Sequence, residues 1–186
     1  KKSDTILEKI LLDIVDNKLE KIYVNNKKLQ KDIEQILKSL QEDVTIKVEL
    51  VEEGIENRYD LNSQIEKISN RKIWLKCGGF ITIDKTEALT AIDVNSGKFT
   101  GKENIEKTAL KVNKEASIEI AKQLRLRDIG GIIIIDYIDM NEESSREEIM
   151  NLLKNSLKAD RAKTQIVDFT KLSLLEITRK HMFSGE

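Results

Sequence analysis

The sequence of 186 residues contains no proline, one cysteine, one histidine and few aromatic residues. The lone cysteine, Cys77, excludes an intramolecular disulfide, which is the expectation for a cytoplasmic protein. The lone histidine, His181, excludes acid–base mechanisms that need two imidazoles, and its position favours a solvent-exposed or capping role. No apolar run approaches the roughly 20 residues that a membrane-spanning helix needs, and no P-loop motif is present.

Hydrophobic residues make up 39% of the sequence, enough for the core of one domain or of two small ones. Their spacing predicts an α/β fold with a mixed sheet, in which helices and strands alternate along the chain. We expect Gly130-Gly131 to end the helix predicted over residues 104–127, because glycine tolerates the left-handed conformation of a C-cap. A last helix is expected to begin at about Lys171. A capping box, formed by Ser144 with Glu147 or by Ser145 with Glu148, is expected at the start of the helix that contains residues 149–157. The predicted helices cover residues 4–16, 27–41, 61–68, 104–127 and 149–157, and the predicted strands cover residues 21–25, 44–50, 72–75, 89–94, 131–135 and 164–169.

Two apolar strands in the second half of the sequence each end in an aspartate, Asp93 and Asp136. A carboxylate at a strand end avoids most of the desolvation cost that it would meet inside the strand. If the two strands are neighbours, the carboxylates converge, and two carboxylates with bound waters suit Mg²⁺. The pattern by itself favours ordinary turn-forming or capping aspartates, because carboxylates are common at turns.

The amino-acid sequence of residues 78–140 and of two later segments resembles the catalytic core of the ribonuclease E/G family, endoribonucleases that cut single-stranded RNA. The resemblance is strong over residues 70–180 and looser before them. The matching stretches are Gly78-Gly79, Ile83-Asp84, Thr86 to Leu89, Ile92 to Ser96, Ala121 to Asp128, Gly130-Gly131, Ile135 to Met140, Asp160 to Lys163 and Leu174 to Arg179.

The resemblance implies an RNase H-like segment over residues 1–76 and a DNase I-like catalytic subdomain over residues 77–186. It implies that Asp93 and Asp136 bind the catalytic Mg²⁺ of an endoribonuclease active in RNA processing and decay. Asn95 would orient a water or a phosphate. The alternative is an RNA-binding or scaffold fragment with little activity without further domains. Family members also carry an RNA-binding domain and a cysteine pair that shares zinc between subunits. We therefore expect a fragment, with zinc and homo-oligomers only in the full-length protein.

Basic residues concentrate on both sides of an acidic segment. Residues 98–127 carry a net charge of +4, residues 128–153 carry −6, and residues 154–180 carry +4. A charge run is usually a solvated face, but these basic residues are also candidates to hold RNA phosphates. Arg161 or Lys163 would stabilise developing negative charge, although family members commonly have arginine where Lys163 stands. The candidates are Lys98, Lys111, Lys114, Lys122, Arg125, Arg127, Arg161 and Lys163.

Several other residues fit either a structural or a functional role. Trp74 and Phe80 are more typical of core than of a base-stacking platform, whereas Phe99 fits either role equally. Asp139 fits an outer-shell metal ligand or a structural cap. Cys77 is expected to be a buried, unreactive thiol.

Overall fold

The computed structural model describes residues 6–15, 19–40, 46–51, 54–97 and 105–182. The chain forms two compact units, Lys1–Glu66 and Lys67–Glu186. Lys98 and Phe99 fall outside the described residues, so the expectations for them remain predictions. The domain boundary expected at residues 76 and 77 also stays a prediction.

The first unit packs helices against two parallel strands. Its core is built from Leu11, Val24, Ile33 and Leu37. Asn26 caps the second helix, because its side-chain oxygen accepts hydrogen bonds from the backbone N–H groups of Lys28 and Leu29. Its elements are α1 (Ile6–Ile14), β1 (Lys21–Val24), α2 (Lys27–Leu40), β2 (Lys47–Leu50), α3 (Ile55–Arg58) and α4 (Leu61–Ser69, which crosses into the second unit).

The second unit contains a six-stranded mixed sheet in the order β3-β4-β5-β6-β8-β7. Strands β5 and β6 are parallel, and every other neighbouring pair is antiparallel. The mixed α/β class predicted from the sequence is therefore confirmed. The elements are β3 (Lys72–Trp74), β4 (Phe80–Lys85), β5 (Leu89–Asn95), α5 (Ile105–Leu126), β6 (Gly131–Asp136), α6 (Glu143–Ser156), a 3₁₀ turn (Leu157–Ala159), β7 (Thr164–Phe169) and β8 (Leu174–Arg179).

Side-chain alternation gives the sheet two different faces. One face packs against α5 and α6, and it carries the fully buried side chains Ile92, Ile133 and Ile135. The other face carries exposed or half-buried residues, because successive side chains of a strand point to opposite sides. Since α5 connects the parallel strands β5 and β6, it begins near the end of β5 and finishes near the start of β6.

The helix predicted from about Lys171 is wrong, because Leu174–Arg179 forms strand β8. Leu175 and Ile177 are fully buried and alternate with less buried residues, which is the period of two expected for a strand. A tight turn joins β7 to β8, with Ser173 at a φ of 62° and its N–H bonded to the carbonyl of Thr170.

The end of α5 also differs from the prediction. Asp128, not Gly130, adopts the left-handed conformation, with a φ of 44°. The N–H of Asp128 bonds to the carbonyl of Arg125, and that of Ile129 bonds to the carbonyl of Leu124, which together form a Schellman cap. Gly130 is needed for another reason: a Cβ there would lie 2.7 Å from Cδ2 of His181.

The capping box predicted for α6 is absent from the described residues. The N-cap position is Glu142, whose side chain makes no capping bond. Instead the carboxylate of Glu106 on α5 accepts hydrogen bonds from the backbone N–H groups of Asn141 and Glu142, at 3.0 and 3.3 Å. These bonds hold the pKa of Glu106 below its usual value. A side chain from the neighbouring helix therefore replaces the local cap.

Candidate active site

Asp93 and Asp136 are register partners on the neighbouring parallel strands β5 and β6. Both side chains are exposed, and they lie on the face opposite Ile92 and Ile135. The apolar residues before each aspartate pack the strand into the core, and because successive side chains point to opposite faces, the aspartate then lies on the outer face. The structure thus brings together the two carboxylates that the sequence singled out.

Asn95 joins this pair. Its side-chain nitrogen donates a hydrogen bond to Oδ2 of Asp93 at 2.6 Å, two residues along the same strand. The pKa of Asp136 lies above its usual value, because neighbouring atoms displace some water from around this otherwise exposed carboxyl group and because Asp93 and Asp139 place negative charge nearby. Carboxylates that repel one another in this way gain from a cation placed between them.

The donor set limits which metal the site suits. Among the described residues, no group of three or more His, Cys, Asp or Glu side chains is arranged to hold a metal ion. Two carboxylates alone suit Mg²⁺, which keeps several of its waters, better than Zn²⁺, which is usually held by three or four protein ligands. The negative charge of Asp139 helps to raise the pKa of Asp136. Both roles expected for Asp139, an outer-shell metal ligand and a structural cap, stay predictions.

The segment after β5 packs closely against the turn that precedes β4. A Cβ on Gly79 would lie 2.8 Å from the carbonyl oxygen of Asn95, and one on Gly97 would lie 2.5 Å from that of Gly78. Gly97 also has a φ of 59°, which a residue with a side chain rarely adopts. Glycine is therefore required on both sides of this contact, which fixes the chain just beyond Asp93.

Helix α5 holds the same turn from the buried side of the sheet. The carboxylate of Glu115 accepts hydrogen bonds from the backbone N–H groups of Lys76 and Cys77, the latter at 2.9 Å. Partial burial, followed by the nearby Glu115 carboxylate, raises the pKa of the Cys77 thiol despite a backbone hydrogen bond that opposes it. The thiol therefore stays protonated, as expected for an unreactive cysteine.

Helix α5 also holds the segment that follows Asp136. The buried side chain of Asn113 donates to the carbonyl of Ile138 at 2.8 Å and accepts from its N–H at 3.1 Å. The hydroxyl groups of Ser117 and Tyr137, both buried, lie 2.8 Å apart. These contacts satisfy polar groups that would otherwise be costly to bury, and they fix the backbone beside Asp136.

Sequence reasoning did not identify Glu115, Asn113 or Ser117. A signal was present, because Asn113 and Ser117 interrupt the apolar stripe of α5 next to Val112 and Ala116. A polar residue on a buried helical face needs a partner, and the nearest candidates are the ends of the strands that the helix connects.

The aromatic residues at the start of the sheet differ from the core position favoured by the sequence. Trp74 is 62% exposed, and its ring centroid lies 5.3 Å from that of the half-buried Phe80. The ammonium nitrogen of Lys72 lies 4.2 Å from the Trp74 centroid and 3.5 Å from the Phe80 centroid. The core interpretation of Trp74 is therefore wrong.

The described basic candidates on α5 belong to the helical layer, whereas the aspartates lie on the opposite face of the sheet. Lys111 and Lys114 occupy the first half of α5, the half nearer the ends of β5 and β6, and Lys114 forms an ion pair with Glu148 at 2.6 Å. Lys122 and the exposed Arg125 lie toward the far end of this helix, where Lys122 is 3.8 Å from Glu119. Arg127 directly follows the helix and bonds to Gln123 and to the carbonyl of Asn70.

Arg161 and Lys163 precede β7, whose first residues pair with the end of β8 at the edge of the sheet away from the aspartates. Lys163 also lines a groove of about 640 Å³ between α6 and β7, together with Lys154 and Lys158. The structure therefore does not gather the basic candidates around Asp93 and Asp136, and RNA contact by any of them stays a prediction.

Three charged residues from the matching segments form a structural cluster. The guanidinium of Arg179 bonds to Asp160 and Asp128, each at 2.8 Å, and to the carbonyl of Ile129 at 2.8 Å. His181 is a partner of this cluster, since its Nδ1 lies 2.9 Å from the carbonyl oxygen of Asp128. The capping role expected for His181 is consistent with this position.

Comparisons with known proteins identify the family. A model of the Ribonuclease E/G family matches residues 1–182. Ribonuclease G of Salmonella typhimurium is 39% identical over 177 residues, covering 94% of this chain and 36% of that protein. Ribonuclease E of Haemophilus influenzae is 38% identical over 182 residues, covering 97% of this chain and 19% of that protein. The chain thus spans between a fifth and about a third of these relatives, and it belongs to the ribonuclease E/G family.

Proposed function

We propose that the protein is a Mg²⁺-dependent endoribonuclease that hydrolyses phosphodiester bonds of single-stranded RNA at the sheet edge formed by Asp93 and Asp136. The observation that carries this proposal is the register pairing of the two aspartates, with Asn95 bonded to one of them. Relatives named Ribonuclease G and Ribonuclease E support the reaction class. RNA processing and decay, in the cytoplasm, is the corresponding cellular role.

Each residue of the site has a distinct part in the proposal. Asp93 and Asp136 would hold Mg²⁺, which when bound neutralises charge on the phosphate and lowers the pKa of a water. Asn95 keeps the Asp93 carboxylate in one orientation through its N–H group. The amide oxygen of Asn95 remains available to accept a hydrogen bond from a water, so it can orient a nucleophile beside the phosphate.

The second candidate is an RNA-binding or scaffold part with little activity alone. It is favoured by the placement of the basic residues Arg161 and Lys163 away from the aspartates. Homo-oligomers and a shared zinc, expected of full-length family proteins, belong to the same set of proposals. Cys77 is the only cysteine of this chain, so any such zinc site needs thiolates from elsewhere.

A magnesium titration of RNA cleavage separates the two candidates. We expect the protein to cut a 5′-monophosphorylated single-stranded RNA only when Mg²⁺ is present, with EDTA abolishing and added Mg²⁺ restoring the products. Binding of the same RNA, measured in EDTA, provides the control. Binding without cleavage at any Mg²⁺ concentration supports the scaffold function, and cleavage that survives EDTA contradicts the proposal.

A further inference from the structure

Trp74, Phe80 and Lys72 form a cluster, hereafter the aromatic platform, on the same sheet face as the paired aspartates. Trp74 is the register partner of Phe80, and Phe80 is the register partner of Asn95. The adjacent set of register partners on this face crosses the sheet from Lys72 through Thr82 and Asp93 to Asp136. With strands about 4.8 Å apart, the Cα atoms of Trp74 and Asp93 are separated by roughly 12 Å.

We propose that the aromatic platform binds a nucleobase of the RNA strand whose backbone is held at Asp93 and Asp136, and that Lys72 contacts a phosphate of the same strand. The inference rests on the proposed function and adds a specific contact to it. It assigns Trp74 as a residue that positions the substrate by stacking.

The exposed tryptophan is the first argument for this assignment. Trp74 is 62% exposed, so it leaves apolar surface in water whose burial against a base would be favourable. Its edge-on contact with Phe80, at an interplanar angle of 62°, fixes the ring without covering it. A rigid ring that remains largely exposed offers a base a surface for stacking, and every base has a π-face.

The charge beside the rings is the second argument. Within the part of the chain that the structure describes, the Lys72 ammonium contacts both rings and no carboxylate. It therefore keeps a positive charge available for an anion beside the stacking surface. A nucleotide presents both features together, a flat base and a phosphate, and an apolar partner protein would instead have to bury the ammonium without compensation.

The only tryptophan of the sequence is Trp74, so intrinsic fluorescence reports directly on the aromatic platform. We would titrate the chain with a single-stranded oligoribonucleotide in EDTA, where binding is read without cleavage. Stacking should quench the fluorescence. In a set of oligonucleotides with one abasic site moved along the strand, quenching should be lost at one position while binding persists. Unchanged fluorescence on binding, or quenching indifferent to every abasic site, would overturn the inference.

Variants test the same contact through affinity. Trp74→Ala should weaken RNA binding roughly 5- to 100-fold, Trp74→Phe should retain most of the affinity, and Lys72→Met should flatten its salt dependence. Leu172→Ala removes another exposed apolar side chain, 80% exposed, from the β7–β8 turn and should leave affinity unchanged. Equal affinity of wild type and Trp74→Ala would refute the inference. A fluorescence change with protein concentration alone would assign the aromatic platform to self-association and would also refute it.

The outcomes also separate this inference from the proposed function. Cleavage and binding without any effect of Trp74 would refute only the aromatic platform. Failure of the wild-type protein to bind RNA would refute both proposals. Quenching with the expected dependence on the base, but without Mg²⁺-dependent cleavage, would keep the platform and refute the nuclease activity.

Discussion

Arg179 and Asp160 form a buried ion pair, in which Nε of the arginine donates to Oδ2 of the aspartate at 2.8 Å. Their side chains are only 1% and 3% exposed. Asp128 binds the same guanidinium from the end of α5, so the pair joins the end of that helix, the start of β7 and the end of β8. Three of the charged residues shared with the family therefore stabilise the fold and lie away from the aspartate pair.

Removing one partner of this pair should destabilise the protein strongly. Asp160→Asn leaves the Arg179 charge buried with one carboxylate fewer, at an expected cost of about 3–5 kcal/mol in the free energy of unfolding. Urea denaturation measures the change. The matched control is Asp84→Asn, which weakens the exposed pair with Arg71 at 2.5 Å and should cost much less, because solvent screens an exposed pair. Similar losses in both variants would show that burial does not decide the effect.

Stability should fall in acid partly because of Glu115. Burial opposes ionisation of this carboxyl group, but hydrogen bonds from the Cys77 thiol and from the backbone of Cys77 and Lys76 outweigh it and lower the pKa. A pKa below the unfolded value of about 4.3 contributes stability above that pH, and the contribution disappears as the pH falls through the folded pKa. Glu115→Gln should therefore lose less stability between about pH 5 and pH 3 than the wild type, as measured by urea unfolding. Parallel curves would contradict this.

Asn113 should matter for both stability and cleavage. Asn113→Ala leaves the N–H and carbonyl of Ile138 without their partner, at an expected cost of about 1–3 kcal/mol. Because this backbone follows Asp136, cleavage should fall by more than the loss of folded protein explains. Ser156→Ala is the control, since it removes a hydroxyl bond to the carbonyl of Leu152 at the end of α6, farther in sequence from Asp136. Equal cleavage by the two folded variants would argue against a positioning role for Asn113.

The basic residues of α5 are spread along the helix, so their contacts with RNA are tested one residue at a time. Lys111 and Lys122 are 11 residues apart, or about 16 Å along the helix axis. If both contact phosphates, Lys111→Glu and Lys122→Glu should each weaken binding of long RNAs of any sequence and reduce the salt slope by about one. Only Lys111→Glu should affect a short RNA held at the aspartates. Lys38→Glu on α2 is the control, and salt slopes equal to that of this control would assign the α5 lysines to a solvated face.

The sequence predicted the features that depend on local pattern. The apolar runs before Asp93 and Asp136 define buried strands, and their parallel pairing follows from the helix between them. The features that it missed depend on tertiary neighbours. Leu174, Leu175 and Ile177 fit either a helix or a strand, and pairing with β6 decides between them. The αL residue that ends α5 is Asp128, whereas the sequence pattern pointed to the glycines that follow it.

The exposure of Trp74 illustrates the same limit. A three-residue strand carries too little alternation to show which of its faces the helices cover, so an aromatic residue there is assigned to the core by default. Asn113 was missed for the opposite reason, since a polar residue within an apolar stripe indicates a buried partner without identifying it.

Cleavage by Asp93→Asn and Asp136→Asn as a function of Mg²⁺ concentration tests the central claim most directly. Both substitutions keep the shape of the side chain and remove its charge, so the fold should persist by circular dichroism and thermal unfolding. We expect each to reduce cleavage by at least about 100-fold, since even residues that only orient metal ligands typically contribute 10- to 100-fold. Asp168→Asn, at an exposed position on β7, should cut RNA at the wild-type rate. Wild-type rates in the folded Asp93→Asn and Asp136→Asn proteins would show that the aspartate pair is not the active site.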